Sequence, residues 1–468
     1  MGQTRADCRD RRESVGSLTA AIDIAELLDE GRWTRYQRFL TVVSALAIIF
    51  DGFDIQILGF AIPSLMKEWA LPRAAFGPVL ALGLAGMAAG SPFAGYLGDR
   101  AGRRPALIFS LILFAAATLA TSFVRSIAGL AVLRFLTGLG TGGALPNATA
   151  LVAEFAPLRH RPMAVKLTLV CVPLGGMLGG LIAARVLPSL GWRALYLLGG
   201  LAPLAFAVFL WFALPESPRF LAQDSRRWPA LVRLLRKMGR TVAPSSAFCD
   251  TGERRLHRVA PIRAVFAPEQ RRDTAGLWLA FFFCLGSIYL VFGWLPAMLT
   301  ARGIDMASAS RGLAVYNLGG VAGVFVWAAL VTVLGSRRPL LSGALAAAGS
   351  ALAILLVPAT SGSAGGLLLV GLGLNGLLAN AVQTSMYALA AHIYPTSVRA
   401  SGIAYAAGIG RAGGIVSSIG GAAIIAAGPG AYWGTLAVSM VIAFAGLAWV
   451  RGHIPAIPPT TEIERSSA

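Results

Sequence analysis

Carboxylates are scarce in this chain: 21 Asp and Glu stand against 40 Lys and Arg in 468 residues, and charged residues make up only 13%. Soluble domains carry about 25% charged residues, so the composition excludes an ordinary water-soluble fold. Cysteine and histidine are rare as well, at four each. Cys8, Cys171, Cys249 and Cys284 stand singly with no C-x-x-C spacing, which argues against a disulfide framework and a thiolate metal site. No nucleophile–base set, no ligand cluster and no soluble domain above about 60 residues is visible, so an enzyme or a sensing receptor is disfavoured and no cofactor is expected.

Apolar length is what the chain has in abundance, with 56% hydrophobic residues and a mean hydropathy of +0.70. Runs long enough to cross a bilayer, about 20 residues each, recur near 39–63, 76–98, 105–124, 128–153, 163–187 and 194–214. Six more lie near 274–299, 309–334, 338–358, 363–391, 401–427 and 430–450. An all-α membrane protein with twelve transmembrane helices is expected. The first 38 residues are polar and arginine-rich and lack the short apolar core of a cleavable signal, so the first span is expected to start insertion. Arg100, Arg103, Arg104, Arg159, Arg161, Arg337, Arg338, Arg399 and Arg451 all fall on one side of the spans, as does the basic stretch 215–273. By the positive-inside rule both termini are cytoplasmic, in a cell inner (plasma) membrane protein. The net charge of +19 is then a topology signal. Its arginines are dispersed over short loops, so no nucleic-acid partner is expected.

The chain also repeats. GRRPAL at 102–107 returns as SRRPLL at 336–341, an offset of 234, and Pro157, Arg161, Gly175 and Gly176 return as Pro395, Arg399, Gly413 and Gly414, an offset of 238. Two parallel six-helix bundles follow, 39–214 and 274–451, joined by a cytoplasmic basic linker at 215–273 and flanked by tails at 1–38 and 452–468. Parallel halves of this kind place a binding site near mid-membrane between them.

Against this apolar background the intramembrane charges stand out. Asp51 lies about twelve residues into the first span, near the midplane at about 1.5 Å per residue. Asp54 follows on the same helix face. An ionised aspartate at that depth costs about 2.5–3.5 kcal/mol, so each must face a cavity, pair, or take up a proton. Arg134 enters the fourth span at a depth close to that of Asp54 and is its natural counter-charge. The three residues form a candidate proton-coupling set, because a carboxylate releases its proton beside a guanidinium and regains it when the two separate. Arg411, about ten residues into the eleventh span, is too deep to snorkel easily and suits a carboxylate ligand. As alternatives, Arg134 reaches the outer interface and Arg411 pairs with a first-half aspartate. Tyr289, Tyr316, Asn317, Asn380, Gln383 and Tyr387 supply aromatic and amide groups for a small-molecule pocket. Gly138, Gly140 and Gly143 spell G-x-G-x-x-G, but inside a span they indicate close helix packing rather than a dinucleotide site.

Several stretches carry a family resemblance. GYLGDRAGRR at 95–104 resembles the signature loop of the major facilitator superfamily, GxLxDRxGRR. LRFLTGLGTGGALPN at 133–147 resembles its fourth-span motif, and PESPRFL at 215–221 closes the first half in several of its branches. DGFD at 51–54 and YPTSVRASG at 394–402, followed by GIGRAGG, look most like the aromatic acid:proton symporter branch. The likeness spans nearly all of 39–451 and implies a major facilitator fold. In the loop, Gly95, Asp99, Arg100, Gly102, Arg103 and Arg104 form a candidate conformational lock at neighbouring helix ends. The second-half counterpart VTVLGSRRP has Val333 where Asp99 stands, so only the first-half copy is credited. The stretch LVRLLRKMGR at 231–240 reads as an amphipathic helix on the inner membrane surface.

These readings converge on a proton-coupled, monomeric importer of a small aromatic carboxylate such as benzoate or hydroxybenzoate, with protons and the lipid bilayer as its other partners. The branch resemblance supplies the substrate class. An importer or exporter of another solute, such as a sugar, an organic cation or a drug, is the alternative on the same scaffold.

Overall fold

The computed structural model describes residues 22–29, 31–243, 246–250, 265–268, 270–357, 363–395 and 398–456. Eleven of its helices are long and apolar enough to cross a membrane. The first-half helices are α1 (Arg35–Trp69), α2 (Phe76–Ala101), α3 (Arg103–Thr121), α4 (Ile127–Phe155) and the run Arg161–Ala213. The second half has α7 (Arg271–Ala301), α8 (Met306–Leu334), α9 (Arg337–Leu355), α10 (Ser363–Ile393), α11 (Arg399–Ala426) and α12 (Pro429–Trp449).

The run Arg161–Ala213 contains 53 residues. As one straight helix it would be about 80 Å long, far beyond a hydrocarbon core of about 30 Å. It is interrupted at Gly191, whose φ of 75° and ψ of 179° are not helical. The ring of Phe53 decides the geometry, because a Cβ built on either Gly179 or Gly199 would lie 2.6 Å from it. Two positions twenty residues apart flank one side chain, so the chain folds back at Gly191. We therefore treat 161–190 as α5 and 192–213 as α6, which brings the crossings to the expected twelve.

Local sequence explains the helix ends. Thr34 and Gln37 form a reciprocal capping box at the start of α1. Gly102, with φ of 109°, makes the tight break between α2 and α3. Within each bundle, small residues let backbones meet. A Cβ on Gly138 or Gly142 of α4 would lie 2.0 or 2.3 Å from the backbone oxygens of Gly83 and Met87 in α2. The same seam recurs in the second half, where Gly319 and Gly323 of α8 meet the backbone oxygens of Gly373 and Leu377 in α10. The G-x-G-x-x-G glycines thus serve helix packing.

The two halves join toward one end only. One apolar core runs through the second bundle and continues into Ile57, Phe60, Leu65, Phe76 and Leu80 of the first. A separate core holds the arginine-rich end of the first bundle, with Leu40, Val43, Leu107, Leu151 and Leu210. Contacts between halves, such as Gly59 against the Phe292 carbonyl and Gly77 against that of Ile419, lie away from the arginine-rich end. There the halves stand apart and a central cavity opens.

The linker departs from expectation. Its helix Trp228–Lys237 buries Leu231, Val232, Leu234 and Leu235. That apolar face packs with Ile24, Leu28, Leu214 and Phe248 in the first-half core rather than lying on a membrane surface. A two-residue parallel pairing of Ile22–Asp23 with Phe248–Cys249 ties the N-terminal segment to the linker.

Candidate functional site

The buried carboxylates come from one turn of α1. Gly52 brings α1 against α5, where a Cβ would lie 2.0 Å from the Val172 oxygen. This contact sends the two neighbouring carboxylates into different surroundings. Both Asp51 and Asp54 are 2% exposed. Asp54 is paired: the Arg134 guanidinium donates Nη1–H to its Oδ2 at 3.4 Å and Nη2–H to its backbone oxygen at 3.3 Å. The Thr118 hydroxyl of α3 donates to Oδ1 at 2.6 Å. Asp51 has no such cage, and its Oδ1 is buried without a hydrogen-bond partner.

Asp51 instead lines a central cavity of about 340 Å³ between the halves. The second half contributes Tyr289, Phe292, Asn380, Gln383, Tyr387 and Arg411 to the same cavity. Among the described residues no carboxylate lies within 4 Å of the Arg411 guanidinium, and Asp51 faces it across the cavity close enough for their charges to act on one another. Tyr387 lies edge-on to Phe281 at 5.0 Å, and Tyr289 edge-on to Phe292 at 6.0 Å, which fixes the ring walls. A second, small pocket of about 30 Å³, room for roughly one water, contains Asp54 and Arg134 and shares Tyr289 and Phe292 with the central cavity. Carboxylate chemistry on the first-half wall therefore faces a guanidinium and aromatic rings on the second-half wall.

Two expected pocket residues lie elsewhere. Asn317 forms a reciprocal amide pair with Gln56, at 2.8 and 3.0 Å, that bridges the halves where they touch. Tyr316 is 1% exposed, edge-on to Phe292 at 6.2 Å, and is absent from the cavity lining. Asn317 meets α1 and α5, and the Tyr316 hydroxyl bonds the cavity-lining Asn380 of α10 from behind, so neither side chain itself lines the cavity. Thr118 was not anticipated, since isolated threonines are common in spans and only packing gives this one a carboxylate.

The signature loop forms its contacts within the first half. Arg103 pairs with Asp99 at 2.6 Å and approaches Glu154, at the end of α4, at 3.9 Å. Glu154 also accepts from the Ser217 hydroxyl. Glu216 accepts from the backbone N–H groups of Arg104 and Ser217 at 3.1 and 2.8 Å. Burial pushes the Glu216 carboxyl above the usual carboxylate range, against the pull of those N–H groups. The Arg104 side chain bonds the Trp211 carbonyl, while Arg100 stacks on Tyr96 at 4.5 Å, outside the network. Gly95 has no atom within 4 Å of where a Cβ would stand, whereas Gly98 meets the Asn147 amide oxygen at 2.2 Å and packs α2 onto α4. Glu154, Glu216 and Gly98 thus belong to the network, and Gly95 and Arg100 stand apart from it. Glu216 lies within the PESPRFL stretch, the one sequence signal that pointed to this place.

At the matching place in the second half, Ser336 exchanges backbone bonds with the C-terminal segment. Its N–H donates to the Ile454 carbonyl at 2.9 Å, and its hydroxyl accepts from the Ile454 N–H at 2.8 Å. The segment around Ile454 thus packs on Gly335 and Ser336, while Val333, at the position of the aspartate, stays exposed.

Asp99 is nearly half exposed, and an exposed i,i+4 pair contributes only about 0.3–0.5 kcal/mol. Asp99→Asn is therefore expected to lower turnover by about twofold with substrate affinity unchanged. Glu216→Gln, which weakens two buried bonds, should lower it further. Concentration-dependent uptake separates the two constants; a large loss of affinity with normal turnover would contradict this assignment.

A family model described as Major Facilitator Superfamily matches residues 44–364 and again 277–467. The chain belongs to the major facilitator superfamily. Among relatives of this superfamily protein, the gallate transporter of Pseudomonas putida is 38% identical over 88% of this chain and 91% of its own length. The 4-hydroxybenzoate transporter PcaK of Pseudomonas putida is 33% identical over 89% of this chain and 92% of its own. The inward open conformation of the xylose transporter XylE from E. coli superposes with a TM-score of 0.71 at 18% identity, covering 92% of this chain and 99% of that one. At that identity the likeness concerns the fold. The relatives are transporters, and so is this major facilitator protein; it is not an enzyme.

Proposed function

We propose that the protein is a proton-coupled importer of a small aromatic carboxylate in the inner membrane, working by alternating access. One observation carries the reading: a single cavity between the halves is lined by Arg411, by Asp51 and by the rings of Tyr289, Phe292 and Tyr387. The guanidinium matches a carboxylate, the rings match an aromatic face, and Asp51 is placed to respond to the charge that enters. The names of the gallate and 4-hydroxybenzoate transporters support the same substrate class.

The direction of loop arginines supports a cytoplasmic arginine-rich end. With that orientation the cavity opens inward, and Gln56 with Asn317 belongs to the closed outer side. Rocking the halves would part that amide pair and bring the arginine-rich ends together. Keeping the Asp54–Arg134 pair in one state and parting it in another would couple proton uptake to the movement of the halves. The protein is proposed to act as a monomer.

Vesicles containing the purified protein should accumulate labelled gallate or 4-hydroxybenzoate when the outside is acidified. Collapse of the pH gradient should reduce uptake to equilibration. Accumulation of xylose with no uptake of any aromatic acid would overturn the substrate class, and gradient-independent accumulation would overturn the coupling.

A further inference from the structure

A second recess lies apart from the central cavity, at the arginine-rich end between the turn that enters α1 and the loop joining α4 to α5. It has a volume of about 630 Å³ and is lined by Arg32, Trp33, Arg38, Arg159 and His160, with Asp29, Gly31 and Pro157. Its only described carboxylate is already engaged, because Asp29 binds Arg161 and lies 3.5 Å from Arg219. No ion pair joins Arg32, Arg38 or Arg159 to any described residue. Arg240 adds a further guanidinium beside the recess, packed so closely on Gly31 that any Cβ there would collide with it.

Topology alone would be served by arginines anywhere on this end. It does not account for the wall of the recess. The rings of Trp33 and His160 stack at 5.0 Å, yet the indole N–H, the His160 Nδ1 and the Arg240 Nη2 are all buried without a hydrogen-bond partner. Buried polar groups ordinarily have partners. Several cations and unpaired buried polar groups around one recess make its wall electropositive. Beside it the surface is apolar and exposed: Phe39 and Val42 follow Arg38 on α1, and Leu158 and Met163 flank Arg159. These belong to helices that face lipid, so the recess sits where headgroups meet acyl chains.

We propose that this recess binds the phosphate headgroup of an anionic phospholipid. Arg32, Arg38 and Arg159, all exposed on the wall of the recess, hold the phosphate, and the acyl chains lie along Phe39, Val42 and Met163. Guanidinium groups are well matched to phosphate oxygens, and each basic residue near an anionic lipid surface strengthens binding appreciably.

The test measures binding of phosphatidylglycerol and phosphatidylcholine to the purified full-length protein in detergent, by native mass spectrometry. Phosphatidylglycerol should bind about tenfold or more tightly than phosphatidylcholine. Arg38→Gln with Arg159→Gln should remove most of that preference. Arg233→Gln with Arg236→Gln takes the same charge from exposed positions on the linker helix at the same end, and should leave the preference within about twofold. Arg32→Gln removes one exposed guanidinium from the recess wall, so it should weaken phosphatidylglycerol binding about two- to tenfold even if the double variant proves unstable. Equal binding of the two lipids would overturn the proposal, as would equal losses in both double variants. Occupancy by millimolar inorganic phosphate without any preference for phosphatidylglycerol would also overturn it, in favour of a soluble anion.

Discussion

Asp51→Asn and Asp54→Asn are each expected to abolish accumulation of an aromatic acid against its gradient, leaving uptake at the level of empty vesicles. The amide is nearly isosteric with the acid but cannot exchange a proton, so a coupled cycle loses its driving ion while the fold survives. The two variants should differ in a second readout. Asp51 has no hydrogen-bond or ion-pair partner among the described residues, so its replacement should leave exchange of labelled for unlabelled substrate intact. Asp54→Asn strips Arg134 of its counter-charge, and leaving a buried charge unpaired costs about 3–5 kcal/mol. That variant should unfold at lower temperature, and Arg134→Gln added to it should restore part of the loss. Wild-type accumulation by both single variants would remove the proposed role of the pair.

Arg411→Lys carries the second large effect. Arg411 faces the cavity without an ion-pair partner among the described residues, so the guanidinium is free to take a ligand through two parallel bonds that an ammonium cannot reproduce. Losing one charge-assisted contact costs about 1.5–3 kcal/mol, or roughly ten- to a hundredfold in affinity. Binding of 4-hydroxybenzoate should weaken by that factor, measured by calorimetry on purified protein. The neutral amide of the same ring should bind poorly even to the unaltered protein. Equal affinity for acid and amide would assign Arg411 to structure rather than recognition.

Sequence reasoning found Asp54 and Arg134 together because both effects it relied on are local. Depth follows from counting residues at a fixed rise, and cost follows from charge in hydrocarbon. It treated Asp51 and Asp54 as equivalents, since three residues separate them on one helix face. Packing against α5 through Gly52, with Thr118 and Arg134 on the other side, makes one caged and the other open. The polar residues Asn380, Gln383 and Tyr387 of α10 line the cavity, whereas Tyr316 and Asn317 of α8 do not. Nothing in a helical sequence states which of two neighbouring bundles its polar face will meet.

The signature loop shows the same division. Its arginines and Asp99 were legible as a motif, but their partners Glu154 and Glu216 come from the far end of α4 and the start of the linker. Chain distance hides such pairs, because a carboxylate in a loop looks like any solvated charge until tertiary contacts bury it.

By itself the sequence determined the solvent, the all-helical membrane class, the internal repeat and the family. These depend on composition and on periodicities within one helix, where each residue contributes independently of its distant neighbours. Tertiary structure alone decided that the halves join at one end and part at the other, that Arg411 faces Asp51 across a cavity, and that Asn317 bridges to Gln56 instead of lining it. Those features depend on the relative placement of helices far apart in the chain, and small differences in the packing of glycine seams settle which side chains meet.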